Sequence, residues 1–286
     1  MANLTAEAEL AQIMEMLDGA YAPNTLRAYR ADMLEFIEFA AKQGKKFMPY
    51  TPQVVQPHLL ESAKTGIKTS TIKRKVASIS AIQRLSGYSD PTKCAEVRLT
   101  MRKIERQLGN RFQQAYPITR AVLNQLLAVC ENDLRGKRNR ALLLLAYDSM
   151  RRRSELVSLR IEDMEWPSED GASILLRKSK TDQLGTGHWI HLANETTLAI
   201  QDWIEAADIK EGFLLRSIDA RGVVTESLCD SRVGRIYKKL AAQAGLDART
   251  VDAISGHSMR VGAAHAADPR PGLAERREHE IGRAHV

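Results

Sequence analysis

Three short stretches of this chain hold the residue types that could do chemistry on a phosphate. RRRSELVSLRIEDM places Arg152 three residues before Glu155, RKSKTDQ carries Lys180, and SGHSMRVGA places His257 three residues before Arg260. Together they offer two guanidinium groups, one ammonium and one imidazole. A guanidinium binds non-bridging phosphate oxygens in a fork, and its charge counts most where negative charge builds up in a transition state. Lys or His can hand a proton to a leaving oxygen. None of these stretches carries the carboxylate cluster that would hold a metal ion, so no metal and no cofactor is expected. Each stretch also has an ordinary reading: an arginine-rich turn in solvent, a lysine in a hairpin loop, a histidine and arginine capping a helix.

The elements that would position them divide the chain in two. Residues 1–19 read as an N-terminal extension. Residues 20–109 read as a helical domain. NTLRAYRADMLEFIEFAAKQG has Asn24 as N-cap, Gly44 as stop, and an apolar stripe through Leu26, Tyr29, Met33, Phe36, Ile37 and Ala40. Helices follow at 50–66 and at 70–87, the latter starting on Ser70 and burying Ile72, Val76 and Ile79; a further helix closes the block near Gly109. On the open side of the 70–87 helix, Lys73, Ala77, Ser80 and Arg84 fall on one line, with Thr71 and Arg74 beside it. Basic residues separated by small ones suit a helix laid in a DNA groove. Residues 110–117, NRFQQAYP, read as the linker. The second domain, 118–264, reads as helices around one β-hairpin, ASILLRKSKTDQLGTGHWIHL, with Lys180 in its turn. The fold class expected is mainly α with a small β-sheet.

Charge points the same way. The formal charge is +7, and residues 51–111 hold 12 Lys and Arg against 4 Asp and Glu, a net +8 in that block alone. A basic block within a folded segment suits a polyanion, most simply double-stranded DNA. No stretch approaches the roughly 20 apolar residues a membrane span needs. The three cysteines form no paired or metal-binding pattern, which fits a reducing cytoplasm.

With these stretches in order, the sequence resembles the tyrosine recombinases, or phage integrases, of the Xer and Cre type, from about residue 20 to about 264. YAPNTLRAYRADMLEFIEFA and STIKRKVASI resemble the helical, SAM-like core-binding domain. The family spelling G-[L/M]-R-x-S-E-L falls on residues 150–156, with Met150 where Gly is usual, Arg152 as the first catalytic Arg and Glu155 as its supporting acid. ILLRKSKTDQLGTG resembles the hairpin with the catalytic Lys, Lys180, and SGHSMRVGAA resembles the HxxR block of His257 and Arg260. The resemblance implies a C-terminal α+β catalytic domain of the DNA breaking-rejoining type. It also implies site-specific cutting and rejoining of DNA through a 3′-phosphotyrosyl link, and tetramers on paired sites. A type IB topoisomerase uses similar chemistry, but the core-binding domain favours a recombinase.

One part of the pattern is missing. The resemblance places a nucleophilic Tyr about 30 residues past the HxxR Arg, yet all seven tyrosines precede His257. The tail from 265 to 286 lacks the amphipathic pattern expected there, and EIGRAHV at 280–286 reads like translated sequencing adapter. A truncation or frameshift after about Ala264 is the expectation, with doubtful assembly and no strand cleavage. The alternative is a non-catalytic DNA-binding remnant that occupies recombination sites.

Overall fold

The computed structural model describes residues 2–109, 114–168, 171–177 and 186–267. Two compact units divide the chain, Met1–Phe112 and Gln113–Val286. The boundary between them falls within the expected linker 110–117, of which residues 110–113 lie outside the described set.

The first unit is helical: α1 (Ala2–Met16), α2 (Pro23–Lys42), α3 (Pro52–Lys64), α4 (Thr69–Leu85), a 3-10 turn (Pro91–Lys93) and α5 (Ala95–Leu108). Residues expected as an extension form α1 and bury Ala6, Leu10, Ile13 and Leu17 in the unit's core. The core proper is Met33, Phe36, Val55, Leu59, Ile72, Ile79, Ile82 and Ile104. Two expected caps differ. Helix α2 starts on Pro23 with Ala22 as N-cap, because proline's fixed φ suits the first helical position. Helix α4 starts at Thr69 rather than Ser70, and the Thr69 hydroxyl donates to the Gly109 carbonyl at 2.8 Å, tying the start of α4 to the end of α5.

The second unit holds α6 (Arg120–Ala128), α7 (Leu134–Ser149), α8 (Arg153–Leu156), β1 (Met164–Ser168), β2 (Gly171–Leu176), β3 (His188–Leu192), α9 (Asn194–Ala206), α10 (Asp230–Gln243), α11 (Ala248–Ala253) and α12 (Ser258–Ala267). Every residue from Ala141 to Ala146 is buried, so α7 is the central helix around which the others pack. The strands form one antiparallel sheet in the order β1-β2-β3. In β2 and β3, Ala172, Ile174, Leu176, Ile190 and Leu192 face the core, while Ser173 and His191 pair on the other side. Strand β1 was not expected. It is short, contains Pro167, and its pairing with β2 is irregular between Glu165 and Ser168. The hairpin turn with Lys180 lies outside the described residues, as does the tail from residue 268.

Candidate active site

Helix α7 ends at Ser149, and Met150 turns the chain in the left-handed conformation at φ 50° and ψ 25°. That turn delivers Arg152 to the start of α8. Glu155, 5% exposed, spends both carboxylate oxygens on it: Oε2 accepts from the Arg152 main-chain N–H at 3.1 Å and Oε1 from Nη1 at 2.8 Å. One buried carboxylate thus fixes both the backbone and the fork of Arg152. Removing a partner from such a bond strands the buried charge, which costs more than the bond contributes.

His257 and Arg260 come from the turn before α12 and from its first turn. Ser255 and Ser258 lock that turn. The Ser258 hydroxyl accepts from Ser255 N–H at 2.9 Å, and Ser255 Oγ accepts from His257 N–H at 3.2 Å. Ser258, Met259, Gly262 and Ala263 are buried, while His257 and Arg260 are exposed. The i, i+3 spacing therefore puts the histidine and the arginine on the side of the helix away from the core. Two backbone bonds tie this region to the incoming segment 116–118: Ile118 N–H donates to Ser258 O at the start of α12, and Tyr116 N–H to Ala253 O at the end of α11, both 3.0 Å.

The electrostatics join the two motifs. Burial holds the His257 imidazole below its ordinary pKa, and the positive charges of Arg153, Arg260 and Arg152 push it the same way. The imidazole is therefore neutral at neutral pH, beside cations that a phosphate would neutralise. Arg153 and Asp230, whose side chains lie 3.3 Å apart at Nε and Oδ2, were not singled out from the sequence. A run of three arginines does not say which one turns toward the histidine, and Asp230 belongs to a distant helix. No group of three or more His, Cys, Asp or Glu that could hold a metal ion occurs among the described residues.

On α4, Lys73 and Arg84 are exposed, Ser80 and Thr71 half-buried. The basic line is partly matched by acids from other segments. Lys73 Nζ lies 3.0 Å from Glu105 Oε1, Arg84 Nε 3.9 Å from Asp90 Oδ2, and Ser80 donates to Asp90 at 2.7 Å. Arg74 pairs at 2.7 Å with Asp32, a carboxylate only 3% exposed that also accepts from Ser78. Arg74 thus has an internal structural partner. No helix among the described residues is long and apolar enough to cross a membrane.

Residues 117–266 match the model of the Phage integrase family, and residues 14–85 match that of the Phage integrase N-terminal SAM-like domain. The chain is 31% identical over 262 residues to an integrase/recombinase xerD homolog of Selenomonas ruminantium, covering 88% of this chain and 75% of that protein. It is 28% identical over 239 residues to the recombinase Cre of Escherichia phage P1, covering 77% and 69%. Among solved structures it resembles the XerH recombinase bound to palindromic difH substrate, with TM-score 0.63 and 15% identity over 94% of this chain and 76% of that one. It also resembles the Tn1549 transposon integrase in complex with transposon right end DNA, with TM-score 0.61 and 16% identity over 94% and 88%. Identities that low carry the fold alone. The family match over more than half of the chain, together with the relatedness to the xerD homolog, shows that this chain belongs to the phage integrase family, the tyrosine recombinases.

Proposed function

We propose that this chain is built to bind duplex DNA and hold one phosphodiester for site-specific recombination. The observation that carries this is the packing of α8 on the turn before α12, where the Arg153 stem lies against Gly256, so that Arg152 and Arg260, far apart in sequence, bear on a single imidazole. In this reading Arg152 and Arg260 hold the non-bridging oxygens, and Glu155 keeps the Arg152 fork in place. Neutral His257 relays a proton. Lys180 protonates the 5′-oxygen as the P–O bond breaks. The family's nucleophilic tyrosine, which these 286 residues do not supply, would form the new bond to phosphorus and conserve the bond energy for rejoining. Lys73, Arg84, Ser80 and Thr71 track the DNA from α4, and Arg74 braces that helix.

All seven tyrosines precede His257. The most buried near the site's helices, Tyr237, is 1% exposed and packed in the core. In this reading the 286 residues, tested by themselves, are expected to bind DNA without forming the covalent link. Incubation with a nicked suicide substrate and a denaturing gel tests this. No band of protein carrying DNA is expected, while native gels show a complex. Extending the chain with the family's aromatic and tyrosine positions is expected to produce the band, and Arg152→Ala to abolish it. A covalent band from the 286 residues alone, or no complex with duplex DNA, overturns the proposal.

A further inference from the structure

Three segments meet at Gly256, the residue before His257. From one side comes the Arg153 side chain: a Cβ added to Gly256 would lie 2.8 Å from Arg153 Cδ. From α10 comes Gly234, whose own added Cβ would lie 3.0 Å from Gly256 N. The Arg153 guanidinium is held in turn by Asp230, the first residue of α10, with Nε 3.3 Å from Oδ2. The turn carrying His257 is thus gripped between α8 and α10, and glycine at 256 lets the arginine stem pass close to the backbone. The ion pair itself contributes little to stability, since its side chains are 42% and 34% exposed. What matters is where it places a charge.

We propose that Arg153 is a positioning residue for the phosphate site: clasped by Asp230, it seats the His257 turn on α8 and holds a positive charge against the imidazole, so that His257 meets the phosphate as a neutral base. This rests on the reading of His257 as part of that site. Among the described residues, the charges acting on the ring are those of Arg153 and Arg152 at α8 and Arg260 on α12, with Glu155 bound to Arg152 and Asp230 of α10 bound to Arg153. Of the arginines acting on the ring, Arg153 has the largest effect.

The test is an NMR titration of the histidine side chains in the ¹⁵N-labelled 286-residue chain without DNA, with melting curves as a check on folding. Arg153→Met is expected to move the His257 midpoint up toward the ordinary 6.5. Arg153→Lys, which keeps the charge, is expected to stay near the parent. Asp230→Asn, which removes the countercharge and leaves the arginine, is expected to move the midpoint down. Simple loosening of the turn would move the methionine and asparagine variants together, both upward. A methionine variant that titrates like the parent, or two variants that shift in the same direction, overturns the proposal. Because no DNA is present, a failure to bind DNA would sink the proposed function and leave this result standing.

Discussion

Gly262 sits one turn into α12, two residues past Arg260, and its replacement by Ala sets two effects against each other. In a helix interior Ala is favoured over Gly by about 1 kcal/mol. Against that, a Cβ at 262 would lie 1.9 Å from Ile118 O, 2.2 Å from Ile118 C and 2.8 Å from Ile118 N. These are backbone atoms, so no side chain can swing aside, and α12 must retreat by about 1 Å or more to reach ordinary contact. Overpacking of this kind costs about 1–3 kcal/mol. The retreat also stretches the Ile118–Ser258 backbone bond, 3.0 Å in the parent, at about 1 kcal/mol. The clash wins by roughly 1–3 kcal/mol, and the melting temperature of Gly262→Ala is expected to fall by roughly 3–10 °C. Arg260 rides on the same helix. In a version extended to carry the tyrosine, cleavage is expected to fall by about 100-fold, the usual consequence of a 1 Å misplacement. Calorimetry on the parent and variant chains settles the first point. A variant that melts at or above the parent would show that α12 does not dock on residues 116–118, and the seating of the HxxR turn argued above would be wrong.

Some of this architecture could be read from residue spacing. Ile72 and Ile79 mark the buried side of α4, and Val233, Tyr237 and Leu240 mark that of α10, because a regular apolar stripe survives any tertiary context. The His257 and Arg260 face follows from the same period. Helix α1 had its stripe too, at Ala6, Leu10 and Ile13, continued by Leu17 just past its end, but one alanine and a run of polar neighbours hid it. Strand β1 gave no signal, since MEWPS neither alternates nor avoids proline. What spacing could not supply was partnership across elements. Glu105, Asp90 and Asp32 all reach back to α4 from other segments, so a line that reads as bare positive charge is partly neutralised in the fold. Likewise, Arg152 and Arg153 look equivalent in sequence. Arg152 turns to Glu155 three residues on, and only the packing of α8 against α10 turns Arg153 toward Asp230.

Met150→Gly is expected to raise the melting temperature by about 2–4 °C, because Met150 holds a left-handed backbone that costs a non-glycine residue about 1 kcal/mol and its side chain is 40% exposed; an unchanged or lower melting point refutes this. Lys73→Ala with Arg84→Ala is expected to flatten the salt dependence of DNA binding by about two in slope, one per phosphate contact. Glu105→Gln, which releases Lys73, is expected to tighten binding, and slopes unchanged by the double alanine variant would remove α4 from the DNA. The last expectation concerns acid. His58 is 3% exposed between Phe36 and Phe39, and its pKa is lowered to about 4, chiefly by burial and then by the charge of Lys75. In the unfolded chain the same imidazole takes up its proton near 6.5. Between those two values the unfolded chain holds more protons, so stability declines as the pH falls from about 6.5 to about 4 and is untouched above that window. The full effect is about 3 kcal/mol. His58→Phe keeps a ring between the two phenylalanines and removes the titration, so urea midpoints measured from pH 7 to pH 4 are expected to fall less steeply in that variant than in the parent. Parallel curves would mean that the acid sensitivity arises elsewhere, in the carboxylates, and that the buried imidazole does not resist protonation.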